Sequence, residues 1–162
     1  MKTRIKSASA KEQKPIEVTI AVTKFRGVLA DGAAPGGRGT AYAMKIGNED
    51  PRVMIKGDDI YIKRPGATLR FTIGSAAGDR QRYYPVGVAF VREGARSSGD
   101  EQRLGLLNFP ESMTRMDGRT FVITDTYKDD APYVRYKFSV AIQRGSDGKI
   151  GIIDPEIIHE ND

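Results

Sequence analysis

The chain has no cysteine among its 162 residues. Disulfide frameworks, thiolate zinc sites and cysteine nucleophiles are therefore excluded. Histidine is almost as scarce. The single one, His159, rules out a multi-histidine metal site, and any Ser-His-Asp triad would have to use it. No apolar run approaches the roughly 18 residues of a membrane span. The basic N-terminus has no apolar stretch before Pro15 and so does not read as a secretory signal. These absences point to a soluble, cytoplasmic protein, and no metal or cofactor is expected.

A surplus of charge is also missing from most of the chain. The formal total is +5, but residues 1–14 hold Lys2, Arg4, Lys6, Lys11 and Lys14 against Glu12 alone. Everything after them is nearly neutral. The expectation is a flexible basic arm over 1–14 and one domain over 15–162. That distribution argues against nucleic acid as a partner. A domain of this length buries roughly 70% of its unfolded surface and needs no staple.

Amphipathic helices are absent too. What the chain has instead is short alternating runs. Ile16 to Thr23 alternates and is rich in β-branched residues, which predicts a strand. Further strands are predicted over 40–46, 53–56, 60–62, 68–73, 84–91, 104–109 and 119–126, with turns every 8–12 residues. Pro85 and Gly87 predict a bend in one of them. Glu111 to Met116 is the only candidate helix, and it is short. The pattern predicts an all-β sandwich. The Gly-rich stretch from Val28 to Gly39 brushes a phosphate-loop spacing, but Arg38 replaces the lysine and no helix follows. Asp58-Asp59 and Asp129-Asp130 lack calcium-loop spacing and suit turns. Tyr83, Tyr84 and Tyr133 suit core or cross-strand positions. His159, near the terminus, is expected to be solvated.

The tail carries the most information. Tyr133 to Gln143 alternates over eleven residues, Arg144 to Lys149 is dense in turn residues, and Ile150 to Asp154 returns. An antiparallel hairpin follows. Then comes Asp154-Pro155. Proline cannot donate to a ladder, which predicts a sheet edge or a bulge. The register is left open by the sequence. A two-residue turn at Gly145-Ser146 sets Lys137 opposite Asp154 and Arg135 opposite Glu156. A turn at Asp147-Gly148 sets Ala141 opposite Asp154. A longer loop gives registers between these.

The run Tyr136-Lys137-Phe138, then Asp147-Gly148, then Ile152-Ile153-Asp154-Pro155-Glu156-Ile157, resembles the C-terminus of the bacterial DP-EP family. These are small β-sandwich proteins long carried as a domain of unknown function. The resemblance covers about the last thirty residues. It implies an immunoglobulin-like antiparallel sandwich and self-cleavage between Asp154 and Pro155 by an endopeptidase-like activity. It also implies a linkage between Lys137 and Asp154, and self-assembly, here expected as a homo-oligomer formed through the C-terminal strand.

The dipeptide has chemistry of its own. The aspartate carboxyl can attack its own carbonyl through a five-membered ring, and the proline nitrogen leaves once protonated. A fold promotes this by holding the atoms about 3–3.5 Å apart and by supplying a proton donor. Glu156 is the candidate donor. Lys137, if neutralised by burial, is a candidate nucleophile. The competing expectation is a non-enzymatic binding or assembly module in which Asp154-Pro155 is a strand-end turn. Asp50-Pro51, the same dipeptide in another context, is a built-in control.

Overall fold

The computed structural model describes residues 14–28, 39–64, 66–93, 113–114, 118–126 and 133–160. Among them are eleven strands and no helix. They form two sheets around one apolar core.

The first sheet is built on β1 (Ile16–Lys24). Its alternation turns Ile16, Val18, Ile20 and Val22 inward, all essentially inaccessible. On one side it pairs antiparallel with β2 (Ala41–Ile46), on the other in parallel with β5 (Thr68–Ser75). Next come β8 (Thr120–Thr124) and the two-residue β7 (Met113–Thr114). β7 falls within the stretch expected to be a helix, and it pairs with Val122 and Phe121 instead. A piece that short gains more from a sheet edge than from one helical turn, whose nucleation is unfavourable.

The second sheet is centred on β9 (Tyr133–Arg144), the longest strand. One edge of β9 is lined by β6 (Tyr83–Arg92), which bulges between Pro85 and Gly87. The other edge carries β10 (Ile150–Ile153) and β11 (Glu156–Glu160). β11 runs parallel to β4 (Asp59–Ile62), which forms a hairpin with β3 (Val53–Lys56). That hairpin turns on Gly57-Asp58, with Gly57 at φ +62°, the left-handed conformation a two-residue hairpin turn needs.

Aromatic rings lock the sheets together. Phe71 and Phe121 stack at 4.8 Å in the first sheet, and Phe138 of the second tilts against them at 5.4 and 6.0 Å. Truncating one such ring to alanine typically costs about 3–5 kcal/mol.

The expected strands at 16–23, 40–46, 53–56, 60–62, 68–73, 84–91 and 119–126 are present within a residue or two. The expected strand at 104–109, the second acidic pair and the basic arm up to residue 13 lie outside the described residues. No helix among the described residues is long and apolar enough to cross a membrane.

Candidate functional site

β10 and β11 lie end to end along one edge of β9. Ile153 faces Val140 and Glu156 faces Lys137, so a single register runs through both. That register sets Asp154 opposite Ser139 and Pro155 opposite Phe138. Phe138 N–H donates to Pro155 O at 3.0 Å. Proline has no N–H to return, so one rung of the ladder is missing. The dipeptide falls between β10, which stands at the end of the strand order, and β11, which is flanked by β9 and β4.

The connecting loop explains the register. It is neither of the two-residue turns considered above. Gly145 to Gly148 forms a four-residue loop, closed by Arg144 N–H to Lys149 O at 2.9 Å. Gly148 takes φ +73°. Arg144 clamps Asp147 with two bonds of 3.0 and 2.6 Å. These bonds outweigh burial and hold the Asp147 carboxyl down at about 2. Lys137 consequently faces Glu156 rather than Asp154, and Ala141 faces Ile152.

Alternation sends Pro155 into the core and leaves Asp154 exposed on the outer face. There Ser139 Oγ donates to Asp154 Oδ1 at 2.6 Å. Lys137 is diagonal to Asp154, a spacing of roughly 7–8 Å in such a sheet. Its side chain is 61% exposed and pairs with Glu93 at 3.3 Å. The burial that a neutral amine would require is not there. Glu156 pairs with Arg135 at 2.9 Å. The outer face thus carries a row of charges in which the three expected site residues are neighbours, each with its own partner.

The backbone around Asp154 points away from β9. Ile150 O and Ile152 O accept from Val28 and Thr40, and Glu156 N–H donates to Asp58 O. Residues 150, 152 and 156 share the even parity of 154, which turns the Asp154 carbonyl to this far edge; Ser139 holds carboxylate Oδ1, while Oδ2 lies 3.7 Å from the Cβ position of Gly39. The covering segment is tightly packed. A Cβ on Gly151 would come within 2.6 Å of Thr40 Oγ1, and one on Gly39 within 3.0 Å of Ile152 O. Tyr42 stands close by on β2. Its hydroxyl is buried and has no protein hydrogen-bond partner among the described residues. Burial first, then the charges of Asp58, Asp154, Asp59 and Glu156, push its pKa far above the usual phenol range.

His159 is buried, contrary to the expectation of a solvated tail. β11 is flanked by β9 and β4, and its odd residues face the core. His159 Nε2 lies 3.4 Å from Asp125 Oδ1, and Asp125 is fully buried just beyond β8. The imidazole meets Tyr136 edge-on at 5.5 Å. This is a contact between the two sheets. Ile157 and Ile158 are buried by the same flanking, so in the single chain they are not an open edge.

Ser139 and Tyr42 were not singled out by the sequence. Ser139 was legible in principle, since alternation puts it on the face of Lys137 and a four-residue loop would have set it opposite Asp154. Nothing in the sequence points to Tyr42. No group of three or more potential metal ligands is found among the described residues. Comparison with family models and with curated proteins finds no match.

Proposed function

We propose that this chain is a self-processing β-sandwich that breaks its own bond between Asp154 and Pro155. The observation that carries the proposal is the position of that bond. Pro155 links β10 to β11 beside β9, at the cost of a ladder rung. Beside it Asp154 is exposed and tethered by one neutral hydroxyl. In the reaction, a carboxylate oxygen of Asp154 attacks the Asp154 carbonyl carbon. The C–N bond to Pro155 breaks, the proline nitrogen takes a proton, and water then opens the cyclic anhydride to two carboxyls. Glu156 is adjacent in the chain as a proton relay, but must first leave Arg135. Linkage between Lys137 and Asp154 requires the lysine to swing off Glu93, and it is the less favoured branch. The resemblance to the DP-EP family, an immunoglobulin-like version of the sandwich and a cytoplasmic setting belong to the same proposal.

After cleavage, residues from Pro155 on remain held between β9 and β4 by backbone pairing. Homo-oligomerisation through this strand requires exchange of the cut segment between copies. Denaturing intact-mass spectrometry over days tests the reading. The expected species end at Asp154 and begin at Pro155, and both disappear in Asp154→Ala. A constant full-length mass would sink it.

One observation favours a second reading, a non-enzymatic binding module. β2 and β3 end their respective sheets, and an open cleft of about 730 Å³ lies between them. Met44, Ile46, Val53, Met54 and Ile55 line it. An uncut Asp154–Pro155 bond together with binding to these edges would select that reading.

A further inference from the structure

Four arginines of this fold are held by a carboxylate. Arg52 holds Asp50 at 2.7 Å, Arg70 holds Glu17 at 2.9 Å, Arg135 holds Glu156 at 2.9 Å and Arg144 holds Asp147 at 2.6 Å. One small cleft gathers three that are not. Arg80, Arg82 and Arg119 all line a cleft of about 270 Å³ at the end of β5, and none forms an ion pair with a described residue. Arg80 and Arg82 flank Gln81 on the segment leading into β6. Arg119 arrives from far along the sequence, because Ile73 N–H donates to Arg119 O at 2.9 Å.

The one carboxylate in the cleft is Asp79, and it is engaged with the wall. Its Oδ1 accepts from Gln81 N–H at 2.9 Å, and its Oδ2 accepts from the Tyr83 hydroxyl at 3.5 Å. Ser75 donates its hydroxyl to Gln81 O, which ties the rim of the cleft to β5. Three exposed arginines and one aspartate line the cleft, a local surplus of two positive charges that a bound anion offsets. A guanidinium presents paired donors that match the oxygens of a phosphate.

We infer that this cleft is a binding site for the phosphate group of a small soluble ligand. Its size suits one phosphate with a short attachment, not a polynucleotide track. The near-neutral charge of the domain outside residues 1–14 agrees with a local site. The inference is independent of chemistry at Asp154.

The test is titration of the intact protein with inorganic phosphate and with a soluble phosphomonoester, against sodium chloride at matched ionic strength. Side-chain Nε–Hε resonances of arginine provide the readout. Saturable shifts are expected for Arg80, Arg82 and Arg119 and not for Arg64, which is exposed and precedes the opposite end of β5. Arg119→Gln should weaken phosphate binding at least tenfold, Arg119→Lys less, and Arg64→Gln not at all. The wild-type shifts stand as a test even if a variant folds poorly. Equal response to chloride, unchanged affinity in Arg119→Gln, shifts confined to other arginines, or binding of single-stranded oligonucleotide with no response to phosphate would each overturn the assignment.

Discussion

The chain contains the same dipeptide twice, in opposite settings. Asp50-Pro51 sits in a tight turn ahead of β3. Asp50 O accepts from Val53 N–H at 3.2 Å. Both Asp50 carboxylate oxygens are taken by Arg52, at 2.8 Å from Nε and 2.7 Å from Nη2, with the Arg52 N–H adding a bond of 2.9 Å. The side-chain bonds from Arg52 hold the Asp50 carboxyl below its usual range against the effect of burial. Asp154-Pro155 is extended, and its carboxylate answers to one serine hydroxyl. Before attacking its own carbonyl, Asp50 must give up a bidentate guanidinium, whereas Asp154 gives up one bond from an uncharged hydroxyl. The guanidinium supplies a second bond and an opposite charge, which the serine does not. The surroundings of the dipeptide, rather than its two residues, separate a structural turn from a candidate reactive bond.

The largest expected effect uses this contrast directly. Asp154→Ala should abolish the cleaved species in intact-mass spectra, while Asp50→Ala leaves cleavage at Asp154 unchanged and lowers stability by about 1 kcal/mol in a urea titration. Cleavage at both dipeptides at similar rates would erase the distinction.

Ser139→Ala is the next sharpest test. The hydroxyl draws the carboxylate toward β9, while the Asp154 carbonyl points to the far edge. Removing the tether should therefore accelerate cleavage, by roughly tenfold if the bond is an ordinary one to a charged group. A slower rate would mean that Ser139 orients the attack and does not restrain it. Lys137→Ala and Glu156→Ala should change the rate by less than Asp154→Ala does, since Glu93 and Arg135 already occupy those side chains. Loss of all cleavage in either variant would return that residue to the chemistry.

The smallest effect lies in the loop that fixes the register. Asp147 has a folded pKa near 2, below its unfolded value. Its contribution is thus complete above about pH 4 and is lost as the pH falls toward 2. Asp147→Ala should flatten the acid limb of the stability profile in that window. An unchanged profile would show that the Arg144 clamp adds nothing to the loop.

The strands were legible because each rests on a local period of two, as in β1 and β9. The pairing was not, because it depends on loop length. Two residues of difference in the 145–148 loop exchange Ser139 for Lys137 opposite Asp154, and the sequence accepts either. The same limit hid the fate of the tail. Asp154-Pro155 does end β10, but that the chain resumes as a flanked strand is known only once β4 lies beside β11, a pairing as remote in sequence as Asp59 with Glu156. His159 was misread for that reason, since its burial comes from the parallel neighbour and not from its own surroundings in sequence.

That parallel pairing also governs the order of assembly during synthesis. The β3–β4 hairpin emerges early, yet β11 is its only neighbour in the second sheet, and β11 is translated after every other described strand. Until then the hairpin has no link to β9, and the second sheet stays in two pieces. Completion of this half consequently waits for β11 and is slow, as expected where the closing contacts are remote in sequence. Throughout that wait the edge of β4 that β11 later covers is open to chaperones and to neighbouring nascent chains.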